Sequence, residues 1–269
     1  MHLLPRPQEM LLQDNVFYVD YTAEICIDPE ASPEWLHYAS LLQKEIEQDT
    51  GFHLNINRNL PVFQTPSILL KSTSGHSQQE YTLRIRESGI LLTASSNSGM
   101  LYAIQTLRQI IRQEGACLPG LDIHDFPVIS NRGLYYDVTR SRIPTLSYLK
   151  KMADTLSFYK INQLHLYIEH TYMFRNLSEV WRDDTPLTSS DILELDRYCA
   201  DLGIELVPSI ASFGHLYKIL RTKSFRHLCE REDLCEEPFG FIDRMEHHTI
   251  DVSNEESFSF IFSVISNCF

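Results

Sequence analysis

Residues Gly133 to Val138 form a short apolar run, rich in Tyr and Val and broken only by Asp137, and Thr139, Arg140, Ser141 and Arg142 follow at once. A buried strand that ends abruptly in polar and charged groups fits a parallel α/β sheet. Ligands of such sheets sit at the carboxyl ends of the strands. This stretch therefore predicts that Asp137 and Arg140 face a site, and that the chain before them is a separate unit.

Beyond residue 128 the pattern is strand, helix, strand, helix, strand. Leu149, Met152, Leu156 and Tyr159 mark a helix that begins near Thr145, after Pro144. Gln163–Ile168 reads as the second strand. Thr188 and Asp191 form a capping-box-like pair ahead of a helix face of Ile192, Leu195, Cys199 and Leu202, which Gly203 closes. Ile204–Ile210 reads as the third strand. Strands recurring every thirty to forty residues or so have the period of βαβ units. Each strand ends in ionisable groups: Arg140 after the first, Glu169 and His170 after the second, Ser212-Phe213-Gly214-His215 after the third. A long loop carrying Trp181 and Arg182 follows the second strand.

Residues 1–127 read differently. Two short strands, MLLQ and VFYVDYTAEICI, are expected to meet at a turn at Asp14-Asn15. Ser32-Pro33-Glu34 starts a helix whose face carries Trp35, Ala39, Leu42 and Ile46 and which Gly51 ends. Further strands are expected near residues 53–56 and 67–70. Tyr81–Arg86 alternates apolar and charged residues, and Ile90–Ala94 returns it as a hairpin. Asn97 is expected to cap a second helix with Met100, Ile104, Leu107 and Ile111 on one face. The grammar predicts an α+β unit, an antiparallel sheet with helices on one side, joined to the next domain through residues 118–127.

With 269 residues and a hydrophobic share of 43%, the chain can bury a real core. A net charge of −13 argues against nucleic acid or an anionic membrane as partner and is compatible with a neutral sugar. MHLLPRPQEM lacks the apolar core of a signal peptide, and no run reaches membrane-spanning length. Cys26, Cys117, Cys199, Cys229, Cys235 and Cys268 show no CxxC spacing and read as reduced thiols of a cytoplasmic protein. His227, Cys229, Cys235, His247 and His248 match no usual zinc spacing, so no metal and no cofactor is expected. The acidic run Glu230 to Glu237 reads as a solvated loop.

The ordered set of motifs resembles glycoside hydrolase family 20, the β-N-acetylhexosaminidases. Tyr81–Ile111 is similar to the end of the family's small N-terminal domain. Arg132-Gly-Leu-Tyr-Tyr-Asp-Val-Thr-Arg140, Tyr159-Lys-Ile-Asn-Gln-Leu-His165 and Gly203-Ile-Glu-Leu-Val-Pro208 through Gly214-His215 resemble its first three barrel strands. The resemblance implies residues 1–127 as the small α+β domain and 128–269 as the first part of a TIM (β/α)8 barrel, about three βα units.

That resemblance also implies roles. Arg140 would hydrogen-bond hydroxyls of a terminal N-acetylhexosamine, with Asp137 and Trp181 as further substrate contacts. His215 would belong to a relay beside the general acid, with Glu169 or His170 as its second-strand partner. The chain departs from the family at Ala211 and Ser209, where acidic residues are common, and in the paired aspartates usual after strand two. The family's substrate-assisted retaining mechanism uses an Asp-Glu dipeptide at the end of the fourth strand, and no Asp-Glu dipeptide occurs in this sequence. The implied reading is a truncated β-N-acetylhexosaminidase, inactive by itself and poorly soluble through open sheet edges. The competing readings are a non-catalytic carbohydrate-binding or scaffold protein, and a glycosidase barrel of another family.

Overall fold

The computed structural model describes residues 1–59, 66–140, 142–234, 240 and 248–266. They divide into two compact units. The first comprises residues 1–132 with 155–162 and 201–203, and the second comprises 133–154, 163–200 and 204–269.

The first unit is built on a seven-stranded sheet: β1 (Glu9–Tyr18), β2 (Glu24–Ile27), β3 (Asn55–Asn57), β4 (Ser67–Ser72), β5 (Tyr81–Arg86), β6 (Gly89–Ala94) and β7 (Cys117–Asp125). Their spatial order is β1-β7-β5-β6-β4-β2-β3. The sheet expected to be antiparallel is mixed. β1–β7, β7–β5 and β5–β6 pair antiparallel, whereas β6–β4, β4–β2 and β2–β3 pair parallel. Parallel neighbours need crossovers, and α1 (Trp35–Thr50) supplies the one between β2 and β3.

Two further expectations are corrected. Asp14-Asn15 is no turn, because β1 runs through it with a bulge between Leu12 and Val16. Residues 118–127 are no linker, because most of them form β7, which lies between β1 and β5. Pro119 hides this strand in the sequence, yet Leu118, Leu121 and Ile123 are buried in it. Pro119 faces Val16 at the end of the bulge, where the ladder is already irregular.

Helix α1 buries Trp35, Tyr38, Ala39, Leu42 and Ile46, and Gly51 at φ +80° closes it with an N–H bond of 3.0 Å to the Glu47 carbonyl. Helix α2 (Asn97–Glu114) buries Met100, Ile104, Leu107 and Ile111 as one face. Its cap is Ser96 rather than Asn97: the Ser96 hydroxyl accepts the Gly99 N–H at 3.1 Å, and Asn97 accepts the Trp35 indole N–H at 3.0 Å. The two helices pack together, tied by Glu45, whose side chain is 2% exposed and pairs with Arg108 at 2.7 Å and with Arg112.

A second buried charge pair lies in the same unit. The Lys160 ammonium donates to Asp125 Oδ2 at 3.0 Å and to the Tyr81 hydroxyl at 2.7 Å, and Tyr81 donates to Asp125 at 2.8 Å. Burial pulls the Lys160 pKa down, and the Asp125 charge opposes that pull. Lys160 sits at φ +61°, a conformation that costs a non-glycine residue energy and is held here by these bonds.

In the second unit, β8 (Gly133–Asp137), β9 (Gln163–Ile168) and β10 (Glu205–Ile210) form a parallel sheet in the order β10-β9-β8. Helix α3 (Leu146–Phe158) follows β8, and α5 (Ser189–Asp201) follows β9 after a single turn, α4 (Ser178–Trp181). The α5 start is a true capping box. Asp191 donates its N–H to the Thr188 hydroxyl at 3.1 Å and accepts the Thr188 N–H at 2.8 Å. After β10 come the single turn α6 (Tyr217–Leu220) and the last helix, α7 (Glu255–Ser266). On α7, Val264 is buried and Phe260 packs on Phe225 at 4.9 Å, while Phe258 and Phe262 are exposed.

Two stability measurements test these assignments. Asp125→Ala strands the Lys160 charge and is expected to cost about 3–5 kcal/mol in denaturant unfolding, with Lys160→Met in an Asp125→Leu background restoring most of it. Gly99→Ala places a methyl 2.5 Å from the Glu80 carbonyl oxygen and is expected to cost about 1–3 kcal/mol. An unchanged midpoint in either case would contradict the packing described.

Candidate functional site

The parallel register decides what shares a face. Tyr135, His165 and Val207 are paired across the three strands, and so are Asp137, Tyr167 and Ser209. These rows lie on one face of the sheet, because paired residues of a parallel ladder point the same way. Leu164, Leu166 and Ile168 alternate to the other face and are buried. The polar face ends in the chain segments that leave the carboxyl ends of the strands.

There the structure brings together Asp137, Arg140, Glu169 and His215. Arg140 Nη1 pairs with Glu169 Oε1 and lies 3.9 Å from Asp137 Oδ2. His215 Nδ1 is 3.6 Å from the same Oε1. His170 Nδ1 is 3.9 Å from Glu169 Oε2. The Glu169 side chain is 9% exposed, whereas Arg140 and His215 are 37% and 41% exposed. A buried carboxylate thus lies beneath two half-open nitrogen-bearing groups. Burial works against the Arg140 charge, but its bond to Glu169 outweighs this and raises its pKa.

Local hydrogen bonds explain why the chain folds this way. Asp137 Oδ1 accepts the N–H groups of Thr139 at 2.7 Å and Arg140 at 3.2 Å, so it shapes the turn that delivers the guanidinium. The Glu169 N–H donates to the Thr139 hydroxyl at 3.1 Å, which ties the ends of β8 and β9 together. His215 has φ +60°, a left-handed conformation that few non-glycine residues adopt and that clusters at functional positions.

Sequence reading did not single out Tyr167, Thr139 or Thr171. The Tyr167 hydroxyl donates to Glu169 Oε1 at 3.0 Å, and Thr171 lies 3.4 Å from Thr139. Tyr167 carried one usable signal: it stands two residues before Glu169 in a strand of period two. His170 also touches Glu169, and burial, reinforced by the Lys218 charge, pushes its pKa down to about 4. It is therefore neutral near neutral pH, so the ion pair with Glu169 falls to Arg140.

Trp181 stands apart from these contacts. Its indole N–H donates to the Phe174 carbonyl at 3.0 Å, which packs its own loop. A cavity of about 270 Å³ between α5 and the sheet is lined mainly by aliphatic groups such as Leu166, Leu206 and Ile192, with Asp196 its acidic member. It lies away from the Arg140–Glu169 chemistry.

Among the described residues no three His, Cys, Asp or Glu side chains gather as metal ligands would. His227 pairs with Glu256 at 3.2 Å, and His248 is buried edge-on against Tyr217 at 4.6 Å. Cys235 and His247 lie outside the described residues, as do Cys268 and part of the acidic run from Glu230 to Glu237. Glu230 accepts the Thr249 hydroxyl at 2.6 Å, and Glu232 pairs with Arg226 at 3.2 Å. Among the described residues no helix is long and apolar enough to cross a membrane.

A fixed carboxylate under a guanidinium and an imidazole can do two things. The remaining guanidinium N–H groups can donate to vicinal hydroxyls, and a histidine beside a carboxylate can relay a proton. Comparison with known proteins bears on the family. The chain is 24% identical over 245 residues to a beta-hexosaminidase of Porphyromonas gingivalis, covering 80% of this chain and 30% of that protein. It is 28% identical over 217 residues to a beta-hexosaminidase of Akkermansia muciniphila, covering 72% and 39%. The chain thus spans about a third of the curated relatives' length.

Among solved structures, the Streptomyces plicatus N-acetyl-beta-hexosaminidase in complex with Thio-NAglucal superposes with a TM-score of 0.84 at 21% identity, covering 98% of this chain and 55% of that one. The exo beta-N-acetylglucosaminidase of Vibrio harveyi, in complex with N-acetylglucosamine, gives 0.78 at 22% identity, covering 98% and 44%. These likenesses show a shared fold, in which the three parallel strands correspond to the opening of the barrel. Residues 1–126 match the model of glycosyl hydrolase family 20, domain 2, and residues 130–269 match that of its catalytic domain, so the chain belongs to glycosyl hydrolase family 20.

Proposed function

We propose that this chain carries the small α+β domain and the opening barrel strands of a β-N-acetylhexosaminidase, a hydrolase that releases terminal β-linked N-acetylhexosamine with retention of configuration. The observation that carries the reading is the meeting of Arg140, Glu169 and His215 at the carboxyl ends of parallel strands. Carboxyl ends are where barrels of this kind bind ligand.

In this reading Arg140 donates two N–H groups to adjacent hydroxyls of the terminal sugar, a task for which its rigid fork is suited. Glu169 holds the guanidinium in place and orients His215, which completes a supporting relay. Asp137 serves the sugar indirectly by shaping the Arg140 turn. Trp181 steadies the loop after β9. Residues 1–127 form the small domain and 128–269 the barrel portion.

The reaction also needs a group that orients the substrate's acetamido oxygen for attack on the anomeric carbon, and an acid that protonates the leaving oxygen. In the family an Asp-Glu dipeptide does this, and these 269 residues contain none. By themselves they are therefore expected to bind sugar without turning it over.

The test is saccharide binding to the 269-residue chain, followed by NMR, with N-acetylglucosamine, N-acetylgalactosamine and glucose as probes. Both acetylated sugars are expected to bind, and Arg140→Lys should weaken that binding about tenfold by removing the fork. Equal binding by Arg140→Lys would overturn the assigned site. Turnover of a chromogenic N-acetylglucosaminide by the chain alone would overturn the claim that its chemistry is incomplete.

A further inference from the structure

Apart from its place two residues before Glu169, Tyr167 reads as a packing residue of its strand. Its contacts are of another kind. The hydroxyl donates to Glu169 Oε1 at 3.0 Å. The ring lies edge-on to the His215 imidazole at 6.4 Å and 89°, and the Arg140 guanidinium sits 5.8 Å from its centre. On its other side it packs against Tyr135 at 5.9 Å, and Tyr135 bonds Ser209 at 2.9 Å. One side chain thus touches all three members of the cluster and is itself fixed from behind.

The acceptor count gives these contacts a consequence. A carboxylate oxygen offers two lone-pair directions. At Glu169 Oε1 one is taken by Arg140 and the other by the Tyr167 hydroxyl. His215 Nδ1, at 3.6 Å from that oxygen, stands just outside hydrogen-bond distance. The hydroxyl therefore occupies the place His215 would take if it closed on the carboxylate.

We infer that Tyr167 is a positioning residue, whose hydroxyl fixes the Glu169 carboxylate against Arg140 and holds it at a set distance from His215. This deepens the sugar-site reading and rests on it for its purpose, though not for its geometry. Burial and then the Glu169 charge push the Tyr167 phenol up to about 12, so it keeps the proton it donates throughout the working range. Without the hydroxyl, Oε1 has a vacant acceptor direction, and His215 is the neighbour that can fill it. The carboxylate then turns from Arg140, and the guanidinium loses the fork orientation that hydroxyl binding requires.

Two measurements on the 269-residue chain test this. In the first, tyrosine labelled with ¹³C at Cζ is followed by NMR up to about pH 11, one unit above the ordinary phenol value. The Tyr167 resonance should stay at its neutral position in the wild type and begin to titrate at lower pH in Glu169→Gln. In the second, N-acetylglucosamine affinity is measured in a cycle. Tyr167→Phe, which keeps the ring and its packing, should weaken binding about tenfold when Glu169 is present and have no further effect on Glu169→Gln. A purely structural tyrosine would give the same loss in both backgrounds. Additive losses, unchanged binding by Tyr167→Phe, or a Tyr167 titration indifferent to Glu169→Gln would each overturn the inference. Should the wild type bind no N-acetylglucosamine, the sugar-site reading fails and the first measurement alone decides the Tyr167–Glu169 coupling.

Discussion

A carboxylate taken out of water must be matched, and Glu169 is the point at which this requirement organises the second unit. An unpaired ionised group in the interior costs several kcal/mol even after relaxation. Glu169 has a 9% exposed side chain and meets that cost with Arg140, the Tyr167 hydroxyl and the Thr139 hydroxyl behind its own N–H. Each partner arrives from a defined place: Arg140 from the turn after β8, Tyr167 from the face of β9, Thr139 from the β8 exit. The parallel register sets all three, because Asp137, Tyr167 and Ser209 are paired across the sheet. Slipping a strand by one residue would turn Tyr167 to the aliphatic side and leave the carboxylate without its donor.

The first unit meets the same requirement twice, in ways that differ from the rim. Glu45 sits between two arginines on the facing helix, and Lys160 sits between Asp125 and Tyr81. The Lys160 network is closed, with side chains 5% and 12% exposed, whereas in the Glu45 network Arg112 is 47% exposed. The Glu169 network is open on one side, since Arg140 and His215 remain well exposed. Exposure alone therefore does not separate a structural ion pair from a candidate site; placement at the carboxyl ends of parallel strands does. Arg112 ties one helix to another, whereas Arg140 stands at the strand ends, where its remaining donors can meet a ligand.

Much of this was legible in the sequence, and the failures have physical causes. The strand-helix rhythm after residue 128 was readable because each strand there is a short apolar run with an abrupt polar end. The exits at Arg140, Glu169 and His215 followed from the rule that binding groups gather at carboxyl ends. Strand β7 was missed because Pro119 and Gly120 look like loop punctuation. They are tolerated because β1 is bulged opposite them, and Asn15 fills the space that Gly120 leaves. Strand direction was misjudged because alternation reports burial and says nothing of whether a neighbour runs parallel. Ser96 and Asn97 are both good caps, and only the Trp35 indole decides between them by engaging Asn97. Tyr167 stands two residues before Glu169 on the same strand, but a tyrosine in a strand reads first as a packing residue, and only the hydroxyl's bond to the carboxylate gives it another role.

The departures from the family pattern at residues 209 and 211 fit the same electrostatic argument. Arg140 already faces two carboxylates, Glu169 in direct contact and Asp137 at 3.9 Å. A third acid at residue 211, just past the end of β10, would add like charge beside a carboxylate that is almost fully buried. Ala211 brings no charge, and its N–H donates to the Ile168 carbonyl at 3.0 Å, extending the ladder right up to Glu169. Ser209 offers a hydroxyl that Tyr135 bonds at 2.9 Å, which braces the ring behind Tyr167.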